Sequence, residues 1–339
     1  MLNRADNAIT PMRLGLALLV VFSHAFDIGG FGPDPLNRVT GGQMKVGTVA
    51  VIAFFGLSGF LLARSRETTS RAAFLRNRAL RIVPGLWVCL AFVALVIVPI
   101  AVSLGGRADV NEVRDFVLDA ARFGSPPRTI TGLFPGTPAP DWVDGPLWTL
   151  QIEVGLYLAL VALPLRLLRP VAHIMPIAAF LLNALFGGHL ALLHLPVAFA
   201  IGVLLHVERA RIPLTGPIAA SVLAVTAVAA FVGSLAVVGP ATLPFLALFA
   251  AARMPLRWSL DLSYGTYIYA GPIQQLLAMG GLAAMGFVPY LTACLVLILG
   301  VAFVSAKLVE EPALRLRTLS LPSGLRYRWS LASPVEPRS

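Results

Sequence analysis

The chain has 339 residues, of which 58% are hydrophobic and 12% are charged, and its mean hydropathy is +0.83. Soluble domains carry about twice that share of charged residues, so the composition excludes an ordinary water-soluble protein. The formal net charge is +10, but the basic residues lie in short connections between apolar runs and not along one helix face. This pattern is typical of membrane topology and does not indicate a nucleic-acid partner. We therefore expect an all-α, polytopic membrane protein.

Apolar runs of about 20 residues recur along the chain, and each is long enough to cross a hydrocarbon core about 30 Å thick. No small-residue cleavage site follows the first run, so we interpret it as a retained span and not as a signal peptide. One transmembrane domain is expected over residues 1–318, followed by a disordered cytoplasmic tail over 319–339. The ten predicted spans are 11–30, 43–63, 82–104, 146–165, 171–187, 190–206, 217–238, 240–253, 260–281 and 286–306.

The charges in the connections predict the orientation of these spans. Residues 64–81, between the second and third spans, contain six arginines and one glutamate, and such connections stay in the cytoplasm. Counting from this anchor places both termini in the cytoplasm and the long connection 105–145 outside. Within it, residues 112–122 have the pattern of an amphipathic surface helix. We expect a multi-pass protein of the inner (cytoplasmic) cell membrane.

The first span contains two polar residues that a bilayer disfavours, since a charged group near its centre costs at least ~2.5–3.5 kcal/mol. Arg13 and His24 are eleven positions apart, which places them on one helix stripe with about 16 Å between them. A neutral imidazole in an apolar wall can accept a proton from a hydroxyl, so His24 is a candidate general base. The alternatives are an arginine that reaches the lipid headgroups and a histidine that hydrogen-bonds between helices.

Glu153, in the fourth span, lies about 10 Å in from the outer end of that span. His24 is expected at nearly the same depth. If the two helices adjoin, the carboxylate can orient the imidazole and stabilise the imidazolium ion. The alternative is a structural partner for a buried arginine, for Gln151 or for a tyrosine hydroxyl.

The second span contains small residues, and the connection that follows it contains basic residues. Gly56 and Ser58 predict either close helix packing or a narrow passage for a thin ligand arm. Arg76, Arg78 and Arg81 suit either a topological anchor or a polyphosphate site. Composition does not choose between these alternatives.

Other polar residues give weaker signals. Tyr264 and Tyr267 fit an aromatic belt at the membrane interface, although Gln274 in the same span indicates a polar cavity. His173, His189, His194 and His206 fall at span ends, where interfacial solvation is the interpretation. Cys89 and Cys294 lie inside apolar runs without metal-ligand spacing, and no metal site is expected.

Several segments, in chain order, match the signature motifs of one protein family. They are the Arg13 and His24 pair, FFGLSGFLLARS, FLRNRALRIVPGLW, LWTLQIEVGLYL, LSYGTYIYAGP and VEEPALR. In these segments, and over about 300 residues, the chain resembles the integral-membrane acyltransferase-3 family. The sequence departs from the family at two positions, since many members have an aspartate where Ile52 stands and a histidine where Ala270 stands.

The resemblance implies transfer of an acyl group, most often acetyl, to a hydroxyl on the outer side of the membrane. The donor would be a cytoplasmic acyl-CoA, used as a co-substrate and not as a bound cofactor, and the acceptor a glycan, lipid-linked or otherwise extracytoplasmic, or a small molecule. His24 corresponds to the essential histidine, Arg13 to its motif partner, and Glu153 and Glu310 to the acids of the fourth span and the last segment.

A mechanistic hypothesis follows from these assignments. His24, Glu153 and Arg13 are the expected catalytic residues. The expected donor-binding residues are Arg76, Arg78, Arg81, Ser58 and Gly56. The expected acceptor-binding residues are Tyr264, Tyr267 and Gln274. A non-enzymatic transporter or glycan flippase could use the same path of polar residues across the membrane. A passive scaffold would have no use for these polar residues.

Overall fold

A computed structural model describes residues 9–124, 129–188, 191–256 and 260–318. Within these ranges the regular secondary structure is helical, with no strand and one isolated antiparallel bridge between Thr129 and Trp142. The predicted tail 319–339 lies outside the described residues. The longer helices are α1 (Ile9–Gly29), α2 (Val46–Thr68), α3 (Arg71–Ser103), α4 (Val110–Ala121), α5 (Trp148–Ala162), α6 (Leu165–Leu185), α7 (Ala191–Val207), α8 (Gly216–Phe231), α9 (Leu235–Arg253), α10 (Ser263–Met279) and α11 (Phe287–Arg315).

The helices other than α4 correspond in position to the ten predicted spans. Of the helices described, six are long and apolar enough to cross a membrane, namely α1, α2, α3, α6, α9 and α11. Helices α5, α7 and α8 are shorter apolar helices, and α10 has 17 residues. The all-α prediction is confirmed. The count of ten crossings and the cytoplasmic termini stay predictions.

The predicted amphipathic helix in the connection 105–145 is α4. It begins at Val110 because the Asp109 carboxylate accepts hydrogen bonds from the N–H groups of Asn111 and Glu112, which cap the helix. The same hydrogen bonds lower the pKa of Asp109. On the connection that follows, Ile130, Leu133 and Phe134 are fully buried. The connection is therefore a packed cap over one end of the bundle.

The last helix contains a wide turn. Residues Ala306–Glu310 are π-helical, and Glu310 at the end of this turn is only 3% exposed. π-Helical turns occur frequently at functional sites because they rotate a side chain out of the regular helical register. Here the turn is associated with an acid buried inside the bundle.

Helix packing brings four helices around a central space. Helix α1 packs against α2, α10 and α11, and α2 packs against α7 and α9. Helix α5 packs against α2, α3 and α7. Helices α1, α2, α5 and α10 together line the cavities that hold the candidate site.

Candidate active site

Three adjoining cavities follow one another through the centre of the bundle. The arginine cavity has a volume of about 470 Å³ and contains Arg13, Arg78 and Arg81 in its lining. The histidine cavity has a volume of about 180 Å³ and contains His24. A neck of about 30 Å³ lies between them and is almost entirely apolar.

The neck shares lining residues with both larger cavities, so the three adjoin in a row. With the arginine cavity it shares Phe54, Glu153 and Tyr264. With the histidine cavity it shares Val20, Val51, Thr149 and Tyr267. The neck is the smallest of the three spaces.

An ion-pair cluster forms one wall of the arginine cavity. Arg13 donates to Asp261 Oδ2 at 2.5 Å, and Arg81 donates to the same oxygen at 2.6 Å. Arg81 Nη1 also lies 3.7 Å from Glu310 Oε2. Burial alone would raise the pKa of Asp261, but the two guanidinium groups outweigh burial and hold this pKa well below its usual range. Asp261 therefore stays ionised and fixes Arg13 and Arg81.

Asp261 is a site residue that sequence reasoning missed. It stands immediately before the LSY segment, and an acid at the start of an apolar span was the signal that could have found it.

Arg78 lines the same cavity and makes no ion pair or hydrogen bond within the described ranges. Its guanidinium is directed to a space large enough for an anionic ligand.

Arg76 does not line the arginine cavity. Its guanidinium donates to the carbonyl oxygen of Arg317 at 2.8 Å, and Arg317 itself is a lining residue. Of the three arginines predicted to bind the donor, Arg78 and Arg81 therefore line the cavity. Arg76 does not, but it contacts Arg317, which does.

Glu153 and His24 are not in contact, contrary to the expected pairing. Val20 on α1 and Thr149 on α5 lie at the boundary of neck and histidine cavity. His24 lines the histidine cavity and not the neck, whereas Glu153 lines the neck and the arginine cavity and not the histidine cavity. Glu153 instead accepts a hydrogen bond from Tyr157 at the arginine end of the neck.

His24 lies in a wall of polar and aromatic groups. Its ring packs edge-on against Trp142, with 6.0 Å between the ring centroids, and Nδ1 has no hydrogen-bond partner among the described residues. The carboxylate lining this cavity belongs to Asp27, which forms an ion pair with Lys45 at 2.8 Å. Sequence reasoning did not single out Asp27 or Trp142 as site residues.

A second histidine lines the same cavity. His194 is 4% exposed, and its Nε2 lies 3.0 Å from the carbonyl oxygen of Gly188. Its interpretation as an interfacial residue is wrong, because α7 carries it into the bundle interior. His189 lies outside the described residues.

The tyrosines of α10 reach different parts of the path. Tyr267 lines the neck and the histidine cavity, and its hydroxyl lies 2.7 Å from the Thr149 hydroxyl. Tyr264 lines the neck and the arginine cavity, and donates to the carbonyl oxygen of Ile82 at 2.7 Å. Gln274 lines none of the three cavities. Its amide donates to the carbonyl oxygen of Val21 at 2.9 Å, which joins α10 to α1.

Gly56 and Ser58 lie on different faces of α2. A Cβ atom on Gly56 would lie 2.4 Å from Pro244 Cβ, so Gly56 permits close packing of α2 against α9. Ser58 lines the arginine cavity. The packing interpretation therefore applies to Gly56, whereas Ser58 faces the arginine cavity.

Comparison with known proteins gives the family. The sequence model of an acyltransferase domain, that of the acyltransferase-3 family, matches residues 6–307. The chain belongs to this acyltransferase family. It is thus a multi-pass membrane acyltransferase. Ile52 and Ala270, the two departures from the family pattern, are fully buried and line none of the three cavities.

Two curated relatives of this acyltransferase match over most of their length. Nodulation protein 10 of Rhizobium leguminosarum bv. viciae is 31% identical over 92% of this chain and 94% of the relative. The O-acetyl transferase of Shigella phage Sf6 is 26% identical over 90% of this chain and 95% of the relative. No solved structure gives a significant match. The family and the relatives support a membrane O-acyltransferase.

Proposed function

We propose that this acyltransferase moves an acyl group, in most cases acetyl, from cytoplasmic acyl-CoA to a hydroxyl of an extracytoplasmic or lipid-linked glycan, with His24 as general base. The observation that carries the proposal is the row of three adjoining cavities that extends from the arginine cavity through the neck to His24. In such a row a charged donor and a hydroxyl acceptor can meet from opposite ends.

The arginine cavity is suited to the nucleotide part of the donor. Arg13, Arg64, Arg78, Arg81 and Arg317 line it, against the carboxylates of Glu153 and Asp261. This excess of positive charge favours a polyphosphate, and guanidinium groups bind phosphate oxygens through paired hydrogen bonds. The slender pantetheine arm would then extend along Ser58 and through the neck.

The histidine cavity is suited to the reaction itself. His24 removes the proton of the acceptor hydroxyl while the oxygen attacks the thioester carbon. The partner expected for the imidazolium ion was Glu153. Because Glu153 lies at the other end of the neck, Asp27 is the acid that we assign to the electrostatic stabilisation of His24. Glu153 is assigned to the arginine end of the path.

The proposal is tested by replacing His24 in cells that produce the protein. Ester groups on surface glycans are released by mild alkali and quantified for the wild type, for His24→Ala and for His173→Ala at equal protein levels. His173 is a matched control because its side chain is 47% exposed and bound to Glu208. A general base contributes ~10²–10⁴-fold, so His24→Ala should reduce ester content at least 100-fold.

The control and the rival functions give different outcomes. His173→Ala should retain the ester content of the wild type. If the wild type adds no ester, or if His24→Ala keeps full ester content, the proposal is wrong. A transporter or flippase would change the amount of glycan at the surface and leave the number of esters per glycan unaltered.

A further inference from the structure

The place where the neck opens into the histidine cavity has a specific chemical composition. In the proposed function, on which this inference rests, the thioester arrives through the neck and the alcohol through the histidine cavity. The reacting carbon then lies at their junction. Four residues line both spaces: Val20, Val51, Thr149 and Tyr267.

An acyl transfer needs hydrogen-bond donors at such a junction. Attack on the thioester turns the carbonyl oxygen into an oxyanion, which requires donors about 2.7–3.1 Å away. Val20, Val51 and Tyr267 lie in helix interiors, where backbone N–H groups are committed to carbonyl oxygens four residues earlier. The donors at the junction are therefore the hydroxyl groups of Tyr267 and Thr149 and the N–H groups in the first turn of α5, where Thr149 lies. Of these, the Tyr267 hydroxyl stands on a side chain that reaches both spaces.

The two hydroxyl groups are already directed to each other. The Tyr267 and Thr149 oxygens are 2.7 Å apart, and this hydrogen bond joins α10 to α5 across the mouth of the neck. A substrate carbonyl that enters the mouth can accept the Tyr267 proton while the Thr149 hydroxyl donates its own proton to the Tyr267 oxygen. Thr149 then holds the phenol ring in the position that the carbonyl needs.

We propose that Tyr267 is a catalytic residue whose hydroxyl stabilises the oxyanion formed from the thioester carbonyl, with Thr149 as its positioning residue. The acceptor oxygen forms a bond to the carbonyl carbon, and His24 takes the hydroxyl proton. The carbonyl electrons move to the oxygen that Tyr267 binds. When the carbonyl re-forms, the carbon–sulfur bond breaks, and the coenzyme A sulfur leaves with the proton from His24. The products are an ester and a free thiol.

The first turn of α2 is another competing source of donors. Gly47 and Thr48 line the histidine cavity, and N–H groups in a first helical turn lack intrahelical partners. Neither residue lines the neck. Tyr267 is favoured because it lines both spaces.

The test compares Tyr267→Phe with Tyr290→Phe. Tyr290 is a matched control, since it is fully buried and its hydroxyl donates to the carbonyl oxygen of Gln274 at 2.9 Å, away from the three cavities. Removal of one oxyanion donor costs about 10²–10³ in rate. Tyr267→Phe should therefore lower the rate of glycan ester formation at least 100-fold, Thr149→Val should lower it less, and Tyr290→Phe should leave it unchanged.

Two further measurements separate catalysis from structure. Binding of coenzyme A to the purified full-length protein, followed by calorimetry, should be the same for the wild type and Tyr267→Phe. Fluorotyrosines placed at position 267 keep the ring and change the acidity of the hydroxyl, so the ester-forming rate should change with that acidity. A merely structural tyrosine would not give this dependence.

Each outcome has a defined meaning. Full activity of Tyr267→Phe overturns the inference and points to the first turn of α2 or of α5. Loss of coenzyme A binding or of thermal stability in Tyr267→Phe, or rates that ignore fluorination, also overturns it in favour of a structural role. If the wild type and His24→Ala both add no ester, it is the proposed function that fails.

Discussion

Asp261 shows how one acid can organise two basic side chains. A single carboxylate oxygen accepts from both Arg13 and Arg81, while the other accepts from the hydroxyl and backbone N–H groups of Ser263. The carboxylate is thus bound on both sides and joins α1, α3 and the start of α10. It positions the guanidinium groups that face the arginine cavity.

Replacement of Asp261 tests this role directly. Asp261→Asn removes the charge shared by two partly buried arginines, so the free energy of unfolding should fall by about 2–3 kcal/mol. The measurement is thermal unfolding of the purified protein in detergent. Glu311→Gln is the control, because Glu311 forms an exposed pair with Lys307 and should change stability by less than ~1 kcal/mol.

The pH dependence of this effect has a defined sign. Because the pKa of Asp261 is held below its usual range, its contribution to stability is complete above the unfolded value of about 3.9 and is lost as the pH falls through the folded value. The difference between the wild type and Asp261→Asn should therefore not decrease as the pH is lowered from about 8 to about 5. A difference that becomes smaller on acidification within this range would contradict the assignment.

Helix α2 packs against its neighbouring helices with one face and lines the arginine cavity with another. Its glycine face meets α7 and α9: a Cβ atom on Gly59 would lie 2.2 Å from the carbonyl oxygen of Phe199. The adjacent face presents Phe54 and Ser58 to the arginine cavity. Close packing on one face therefore fixes the position of the other face in the cavity wall.

The packing face of α2 can be tested with a single methyl group. Gly59→Ala would push α2 away from the α7 backbone, and overpacking of this kind costs about 1–3 kcal/mol. In Gly300→Ala the new methyl group has no neighbour within 4 Å, so this control should be neutral or more stable by up to about 1 kcal/mol. Thermal unfolding distinguishes the two variants, and equal melting temperatures would contradict the close contact.

For the whole molecule, hydropathy predicted the helices well because each span must satisfy its own backbone hydrogen bonds in lipid. The predicted ends of the spans agreed less well with the ends of the helices. Helix α3 begins at Arg71, eleven residues before the predicted span 82–104, since Ser70 caps it by accepting from the N–H of Ala73. A helix that extends beyond the hydrocarbon region has no hydropathy signal in its polar part.

The candidate site was predicted in part. Arg13, Arg78, Arg81, His24 and Tyr267 line the path, as expected for residues on inward-facing stripes. The separation of Glu153 from His24 was not predictable, because depth along two helices does not fix their relative register. Trp142 comes from the folded connection 105–145 and His194 from α7, and periodicity within one helix contains no information about such contacts.

The orientation of the whole bundle can be measured with added cysteines. The native Cys89 and Cys294 are fully buried and should react slowly with a membrane-impermeant maleimide. Asn111 on α4 and Ala72 at the start of α3 are both exposed. If the basic connection is cytoplasmic, Asn111→Cys should be labelled in intact cells, and Ala72→Cys only after the membrane is opened. The unmodified protein gives the background, and the reverse labelling pattern would place the arginine cavity on the outer side, where cytoplasmic acyl-CoA has no access to it.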